Sequence, residues 1–305
     1  MTPAEQQFLL RNQLPDSYLV SAEKWFAPLL ACLAQKAKRT GPPLVIGING
    51  SQGSGKSTLA DYLCSMLGER HKLRCVSLSL DDFYLTRQQR AKLATEIHPL
   101  LQTRGVPGTH DIPLALQTLN SLIGATDESN DILIPRFDKS QDERRPAADC
   151  DSVKGPLDII LFEGWCVGAK PQADEQLQQP VNNLEAQQDS QGVWRHYVNQ
   201  ALAGEYQTLF QLLDLLIMLQ APSFDAVFNW RLEQEEKLIA RLGGLKGSEN
   251  STMVQSGIMS AAQIADFIAH YQRITEQSLR EMPQRADHLF KLDNQRRIIS
   301  AQSRY

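Results

Sequence analysis

The sequence lacks the cysteine spacing that a disulfide framework or a zinc finger requires. Its five cysteines include no Cys-x-x-Cys pair and stand at positions 32, 64, 75, 150 and 166. An odd, scattered set is typical of free thiols in a reducing compartment. The chain also lacks an apolar run of about eighteen residues that could cross a membrane. Its N-terminal stretch has no basic segment leading into an apolar one, as a signal peptide would. We therefore expect a soluble, cytoplasmic protein.

A surplus of positive charge is missing as well. Lys and Arg number 31 against 35 Asp and Glu, which gives a net charge of −4. This balance argues against nucleic acid as a partner, although a pocket for a small anion needs only a few basic groups. The chain has 305 residues, 42 % hydrophobic and 22 % charged, which is the composition of a globular protein with one large domain or two small ones. The oligomeric state stays open.

Five apolar runs alternate with helical stretches along the chain. They cover residues 44–48, 75–80, 157–162, 212–219 and 288–292. The run at 212–219 fits a strand or a helix by periodicity, and the Pro222 shortly after it favours a strand. This alternation predicts a three-layer α/β/α fold with a mostly parallel sheet of about five strands. Its ligand site is expected beyond the carboxyl ends of the strands.

Residues 44–60, LVIGINGSQGSGKSTLA, contain the phosphate-loop motif G-x-x-x-x-G-K-[ST] between a predicted strand and a predicted helix. Glycines allow successive backbone N–H groups to point at one phosphate, and the helix adds its N-terminal dipole. We expect the following residues to bind nucleotide phosphates: Gly50, Ser51, Gly53, Ser54, Gly55, Lys56, Ser57 and Thr58. Lys56 is predicted to reach the β and γ phosphates, and Ser57 to bind Mg²⁺. The alternative is a glycine-rich turn without a ligand.

Acidic residues close two of the predicted strands. Phosphoryl transfer needs a metal and a group that orients the acceptor, and carboxylates near the loop can supply both. Adjacent carboxylates on an extended chain point to opposite sides, so we expect only one of Asp81 and Asp82 to face the phosphates, and predict Asp81. A helix N-cap or turn role is its alternative. Glu163 is predicted to be the Walker-B-like acid, acting on Mg²⁺ directly or through water, with a surface acid as the alternative.

Five motifs in one order carry a resemblance to a known family: GSQGSGKST, SLDDFYLTR, HPLLQTRGVPGTHD, PRFDKSQDER and FEGWCVG. They are similar to motifs of the P-loop kinases that include phosphoribulokinase, uridine kinase and bacterial pantothenate kinase. Within that branch the chain most closely resembles the D-glycerate 3-kinase-like family. The resemblance implies a P-loop kinase domain over residues 41–305, preceded by an N-terminal helical extension over 1–40.

The resemblance also implies roles for single residues. Asp81, in the D-x-F-Y motif, would be the catalytic base and a metal-site residue, and Glu163 the acid of the E-G motif. The R-G-V-P-G-T-H-D stretch would support the acceptor pocket through Arg104, His110 and Asp111. From the residues alone, His110 and Asp111 could equally be a helix N-cap with a neighbouring histidine.

Two further segments are assigned, the first from the resemblance and the second from its composition. Residues 230–249 are a candidate lid that would bring an arginine to the phosphates, with Arg231 as the nearest match and Arg241 as the alternative. The helical pattern there also suits an ordinary surface helix. Residues 170–192, rich in Gln, Asn and Asp, are expected to be an exposed insertion rather than core, or else a linker.

A basic cluster after the apolar stretch DILIP is a candidate acceptor site. Arg136, Lys139 and Arg144 lie within PRFDKSQDERRP. An arginine there could hold a carboxylate in a bidentate manner. The signs of charge alternate, however, which is equally typical of a solvated face.

These observations lead to one prediction with two alternatives. We predict an ATP- and Mg²⁺-dependent kinase of a small molecule, with Lys56, Asp81 and Glu163 as catalytic residues. The resemblance favours D-glycerate as the acceptor. The same scaffold could phosphorylate pantothenate or a nucleoside, and a non-catalytic ATP-binding switch or assembly protein remains the alternative from another class.

Overall fold

The computed structural model describes residues 1–38, 41–233 and 260–304. Its helices are α1 (Pro3–Asn12), α2 (Ser17–Ala37), α3 (Lys56–His71), α4 (Arg87–Glu96), α5 (Ile112–Ile123), α6 (Asp174–Leu177), α7 (Asn183–Gln188), α8 (Val193–Ala203), α9 (Glu205–Phe210), α10 (described over 224–233) and α11 (Ala261–Glu281). Its strands are β1 (Leu44–Gly50), β2 (Cys75–Ser79), β3 (Ile132–Ile134), β4 (Phe137–Asp138), β5 (Glu143–Arg144), β6 (Asp151–Val153), β7 (Ile159–Gly164), β8 (Leu215–Gln220), β9 (His288–Leu292) and β10 (Ile298–Ser303).

The main sheet has six strands in the order β10-β9-β8-β1-β7-β2. The five predicted strands are confirmed, and all five run parallel. The ambiguous run at 212–219 is a strand from Leu215 onward. β10 was not predicted, and it pairs antiparallel with β9 at the edge of the sheet. Its mostly exposed, half-polar sequence IISAQS lacks the buried apolar run that marks the other strands.

Helices cover both faces of this sheet, which confirms the three-layer α/β/α fold. On one face α1, α2 and α3 bury apolar side chains against β1, β8 and β9. On the other face α5, α8, α9 and α11 pack against the opposite sides of β1 and β7. All seven residues of β1 are buried, because this strand is central in the sheet and covered from both sides.

The first 38 residues pack against the same core as the phosphate-loop helix. Phe8 of α1 contacts the ring of Tyr62 on α3 at a centroid distance of 5.3 Å. Leu30 and Leu33 of α2 are fully buried in this core. The N-terminal helices therefore share their apolar contacts with α3, and the domain boundary at residue 40 stays a prediction.

Most residues of the segment 170–192 are exposed, and a few of its side chains are buried. Leu177 and Leu184 are buried. Glu185 forms a buried ion pair with Arg273 of α11, with an Nη2–Oε2 distance of 2.5 Å. The assignment of this segment as an insertion stays a prediction.

Two small strand pairs lie beyond β2. β3 pairs with β6, and β4 pairs with β5 to form a hairpin that carries the basic cluster. The central residues of the apolar stretch DILIP, Ile132–Ile134, form β3. No helix in the described ranges combines the length and apolar character that crossing a membrane would take.

Candidate functional site

The phosphate loop joins the end of β1 to the start of α3. Gly53 and Gly55 have φ angles of +77° and +90°, which glycine adopts at little cost. At Gly50 a Cβ atom would lie 2.4 Å from the hydroxyl oxygen of Ser54, so the loop packs too closely there for a side chain. Gly55 is the N-cap of α3 and has no side chain to cap it. The first N–H groups of the helix, from Lys56 to Thr58, are therefore available to a ligand.

Polar atoms buried in this loop lack protein partners. The hydroxyl groups of Ser51 and Ser54 are buried and form no hydrogen bond with the described residues. A buried polar group without a partner costs free energy. The loop is therefore suited to an anion that accepts these hydrogen bonds, such as a nucleotide phosphate.

Glu163 lies at the end of β7, directly beside the loop. Its side chain accepts a 2.8 Å hydrogen bond from the hydroxyl of Ser57, and its Oε2 atom is 3.8 Å from Lys56 Nζ. Oε2 is buried and has no hydrogen-bond partner among the residues that the structure describes. A hydroxyl oxygen and a carboxylate with a spare oxygen are ligands that suit Mg²⁺. Within the described ranges no three His, Cys, Asp or Glu side chains converge as a metal site, so a metal here would need phosphate and water oxygens as well.

Asp81 and Asp82 lie in a 3₁₀ turn, Leu80–Phe83, and not on the extended strand that we assumed. The turn still separates the two carboxylates. Asp81 contacts Lys139 Nζ at 2.5 Å and accepts a 2.7 Å hydrogen bond from the Tyr84 hydroxyl. Asp82 instead contacts Arg136 at 2.7 Å. The two acids therefore face different surroundings.

The charges around Asp81 tie it to the phosphate loop. Burial alone would raise its pKa, but the positive charges of Lys139 and Lys56 hold the pKa of Asp81 below its usual value. Asp81 is therefore ionised at neutral pH. The opposite balance holds at Asp82, where burial raises the pKa and the guanidinium of Arg136 offsets only part of that effect.

The structure divides the predicted basic cluster in two. Lys139 contacts Asp81, whereas Arg136 and Arg144 are bound elsewhere. Arg136 forms ion pairs with Asp82 and with Asp151 at 2.7 and 2.8 Å. Arg144 forms a 2.8 Å ion pair with Asp111 and donates a 2.9 Å hydrogen bond to the Tyr84 carbonyl. Both arginines border a separate cavity of about 740 Å³ next to α5 and β3.

Arg104 lies close to this site, but its charge is already paired. Its guanidinium forms an ion pair with Asp142 and stands 5.6 Å from the centroid of the Phe137 ring. The hydroxyl of Tyr271 donates a 3.1 Å hydrogen bond to its carbonyl. These contacts hold the backbone of Arg104 beside the residues that are candidates for binding the acceptor.

His110 and Asp111 have different surroundings. The side chain of Asp111 caps α5 by accepting a hydrogen bond from the N–H of Leu114, as the N-cap interpretation predicts. His110 is 4 % exposed, and its Nδ1 is 2.6 Å from the hydroxyl of Tyr206. Its Nε2 atom is buried and has no hydrogen-bond partner within the described ranges. Burial lowers the pKa of His110 to about 4, against the opposing charge of Asp81, so the ring is neutral at pH 7.

Sequence reasoning missed two tyrosines at the site. Tyr84 holds Asp81, and its ring stacks on His110 at a centroid distance of 4.6 Å. The D-x-F-Y motif contains Tyr84 and could have flagged it. Tyr271 of α11 contacts the ring of Trp165 edge-on at 4.9 Å, and no local signal marks it. Trp165 itself packs in the core.

Arg231 belongs to the described part of α10. Burial raises the pKa of Tyr271, and the positive charge of Arg231 is among those that oppose this increase. The nucleotide contact predicted for Arg231 stays a prediction. Arg241 and residues 234–249 of the candidate lid lie outside the described residues.

A phosphate loop at the end of the central parallel strand, with acids at the neighbouring strand ends, defines the class of P-loop phosphotransferases.

No family model matches the chain. It is 35 % identical over 251 residues to the uncharacterized kinase mug58 of Schizosaccharomyces pombe, covering 80 % of this chain and 83 % of that protein. It is 33 % identical over 243 residues to the chloroplastic D-glycerate 3-kinase of Arabidopsis thaliana, covering 75 % of this chain and 46 % of that protein.

A solved structure extends this similarity to the fold. The D-glycerate 3-kinase of Cryptococcus neoformans superimposes with a TM-score of 0.71 at 28 % identity, over 91 % of this chain and 97 % of that one. The chain belongs to the family of P-loop kinases related to D-glycerate 3-kinase. It is accordingly a small-molecule kinase, and its family implies ATP as the phosphoryl donor.

Proposed function

We propose that the protein transfers the γ-phosphoryl group of ATP to a hydroxyl group of D-glycerate. One observation carries the proposal. The half-buried carboxylate of Asp81 contacts Lys139, and the positive charge of the phosphate-loop residue Lys56 helps to lower the pKa of Asp81. The candidate base is thus accompanied by two lysines. Lys56 would neutralise the transferred phosphate, and Lys139 would neutralise the charge of an acidic acceptor. The names of two similar proteins support the choice of D-glycerate.

On the donor side, the loop amides and Lys56 would hold the phosphates of ATP. Mg²⁺ would be held by Ser57 and, directly or through water, by Glu163, and would supply positive charge to the phosphate oxygens. The buried Oε2 of Glu163, which accepts no hydrogen bond from the described residues, supports this assignment. Lys56 would also stabilise the charge that develops on the transferred group.

On the acceptor side, Asp81 would orient the attacking hydroxyl and take its proton. The hydroxyl oxygen would bond to the γ-phosphorus while the bond from that phosphorus to the β–γ bridging oxygen breaks, leaving ADP. Asp81 is ionised at neutral pH and can accept a proton. The hydrogen bond from Tyr84 would fix the direction of its carboxylate.

ADP release with Mg²⁺ and ATP tests the proposal. D-glycerate, pantothenate, uridine and a sample without acceptor should be compared, with Lys56→Ala as the blank. We expect stimulation by D-glycerate. Stimulation by another acceptor alone would overturn the proposed substrate and keep the kinase mechanism. ATP binding without stimulation by any acceptor would favour the switch interpretation.

Uridine is included because one observation favours a nucleoside as the second candidate. The hydroxyl of the aromatic residue Tyr84 donates a hydrogen bond to Asp81. The ring of Phe137 contacts that of Tyr84 edge-on at 5.2 Å, and burial together with the negative charge of Asp81 raises the pKa of Tyr271. Aromatic side chains of this kind could stack on a base.

A further inference from the structure

We propose that Lys139 is an exchangeable cation that selects hydroxy acids over neutral alcohols. In this proposal its ammonium group moves from Asp81 to the carboxylate of the entering acceptor. The oxygen that Lys139 leaves then receives the acceptor hydroxyl. The inference rests on the proposed function and assigns the discrimination between acceptor classes to one side chain.

The first observation is how the two oxygens of Asp81 are used. Oδ1 accepts a 2.7 Å hydrogen bond from Tyr84, and Oδ2 contacts Lys139 Nζ at 2.5 Å. Tyr84 is buried, and its ring is packed between His110 and Phe137. The Lys139 side chain is 57 % exposed. An acceptor hydroxyl that approaches Asp81 would therefore displace the contact from Lys139 and not the one from Tyr84.

The second observation is that the side chain can move while its hairpin stays in place. Asp142, in the turn of the β4–β5 hairpin, forms ion pairs with Arg90 and Arg104. The base of the hairpin is closed by a 2.8 Å hydrogen bond from the N–H of Arg145 to the carbonyl of Arg136. Lys139 reaches Asp81 from this fixed hairpin through its flexible stem, and a lysine ammonium can reorient without a fixed hydrogen-bond geometry.

The third observation concerns the other predicted cations. Arg104 is paired with Asp142. Arg136 bridges two acids, and Arg144 binds Asp111 and a backbone carbonyl. Among these four residues of the described chain, Lys139 alone is paired with the candidate base. An acceptor carboxylate could thus recruit Lys139 without breaking a contact that supports the fold.

The exchange explains selectivity through charge balance. A hydroxy acid brings its own carboxylate, so Lys139 leaves one anion for another and the number of ion pairs is unchanged. A neutral alcohol would donate a hydrogen bond to the Asp81 oxygen that Lys139 contacts, but it would offer the lysine no carboxylate in exchange. The ion pair between Asp81 and Lys139 would then be broken without replacement, which costs binding free energy. The site should therefore favour a small acid over an alcohol of the same size.

Lys139→Met tests this inference, with Arg145→Met as the matched control that removes one positive charge from the same hairpin. Steady-state kinetics should be measured with D-glycerate and with glycerol. Propionate, which carries the carboxylate without a hydroxyl, should be tested as an inhibitor competitive with D-glycerate. It probes carboxylate binding without turnover. Thermal unfolding midpoints of both variants check that the fold is retained.

We expect Lys139→Met to lower kcat/KM for D-glycerate by about 10- to 100-fold, mainly through KM, and to weaken propionate inhibition by a similar factor. The rate with glycerol should not fall, and Arg145→Met should resemble the wild type. Unchanged propionate inhibition in Lys139→Met, or equal losses with D-glycerate and glycerol, would overturn the inference. A wild-type enzyme that D-glycerate does not stimulate would instead overturn the proposed function, and the inference with it.

Discussion

The hydroxyl of Ser57 donates a 2.8 Å hydrogen bond to Glu163. This contact joins the last residue of the phosphate-loop motif to the acid that ends the neighbouring strand β7. Strand β1, which leads into the phosphate loop, pairs in parallel with β7 and places Ile48 opposite Glu163. The carboxylate is therefore placed by the sheet itself, beside the start of α3.

Glu163→Gln tests the role of this carboxylate. The amide keeps an oxygen that can accept from Ser57 but removes the negative charge that would help to hold Mg²⁺. We expect kcat/KM to fall by about 100-fold or more, and higher Mg²⁺ to restore part of the rate. The measurement is ADP release as a function of Mg²⁺ concentration. Glu128→Gln, at an exposed loop position, is the control. A Glu163→Gln enzyme with wild-type Mg²⁺ dependence would contradict the assignment.

Asp81→Asn and Asp82→Asn form a matched pair on one 3₁₀ turn. Asp81→Asn should lower kcat by about 10²- to 10⁴-fold, because a general base is lost, while ATP binding persists. Asp82→Asn leaves Arg136 with only one acid, so it should mainly lower the free energy of unfolding and keep most of the turnover. Single-turnover kinetics and chemical denaturation separate the two effects. Equal losses of kcat in both variants would contradict the division of roles.

Local sequence patterns were sufficient to predict the phosphate-binding part of this site. The phosphate loop and the acids after β2 and β7 are encoded within a few residues of a strand end, and parallel strands bring those ends together. For the fold, the same local signals predicted the five parallel strands. They did not predict β10, because an exposed edge strand has no continuous apolar run.

The acceptor side could not be predicted in the same way. No local pattern shows which residue of the basic cluster Arg136, Lys139 and Arg144 contacts Asp81. Only the fold of the β4–β5 hairpin decides that this residue is Lys139. Tyr271 reaches the site from α11, far along the chain. The burial of Glu185 likewise depends on Arg273 of α11. Such contacts are set by tertiary packing and carry no local pattern.

The burial of His110 predicts that the stability of the protein depends on pH. Its pKa falls from the ordinary value of 6.5 to about 4 on burial. Between these values the unfolded chain binds a proton that the folded chain does not, so stability is lost as the pH falls from about 6.5 toward 4. At pH 5 this loss amounts to about 2 kcal/mol. His110→Gln should remove that share of the pH dependence.

The measurement is urea denaturation of the wild type and of His110→Gln at pH 7 and pH 5. The difference between the two proteins cancels the contributions of the other histidines. His71→Gln, at the end of α3, is the control for replacing a histidine. Identical losses of stability in wild type and His110→Gln between the two pH values would show that His110 is not the group concerned.

Gly105 predicts a packing constraint behind the acceptor site. Its φ angle is +131°, and a Cβ atom there would lie 2.0 Å from the hydroxyl oxygen of Tyr271. Gly105→Ala should therefore lower the free energy of unfolding by about 2 kcal/mol or more, because backbone strain and overpacking combine. Gly41→Ala is the matched control, since a Cβ atom at Gly41 has no neighbour within 4 Å.

The same substitution should also affect the acceptor, because Tyr271 holds the carbonyl of Arg104 beside the site. We expect Gly105→Ala to raise KM for the acceptor more than KM for ATP, which is bound at the phosphate loop. Denaturation curves and steady-state kinetics of the two glycine variants measure both effects. If Gly105→Ala is as stable as Gly41→Ala and keeps its acceptor KM, then Tyr271 moves away at little cost, and the contact between α11 and Gly105 does not shape the acceptor site.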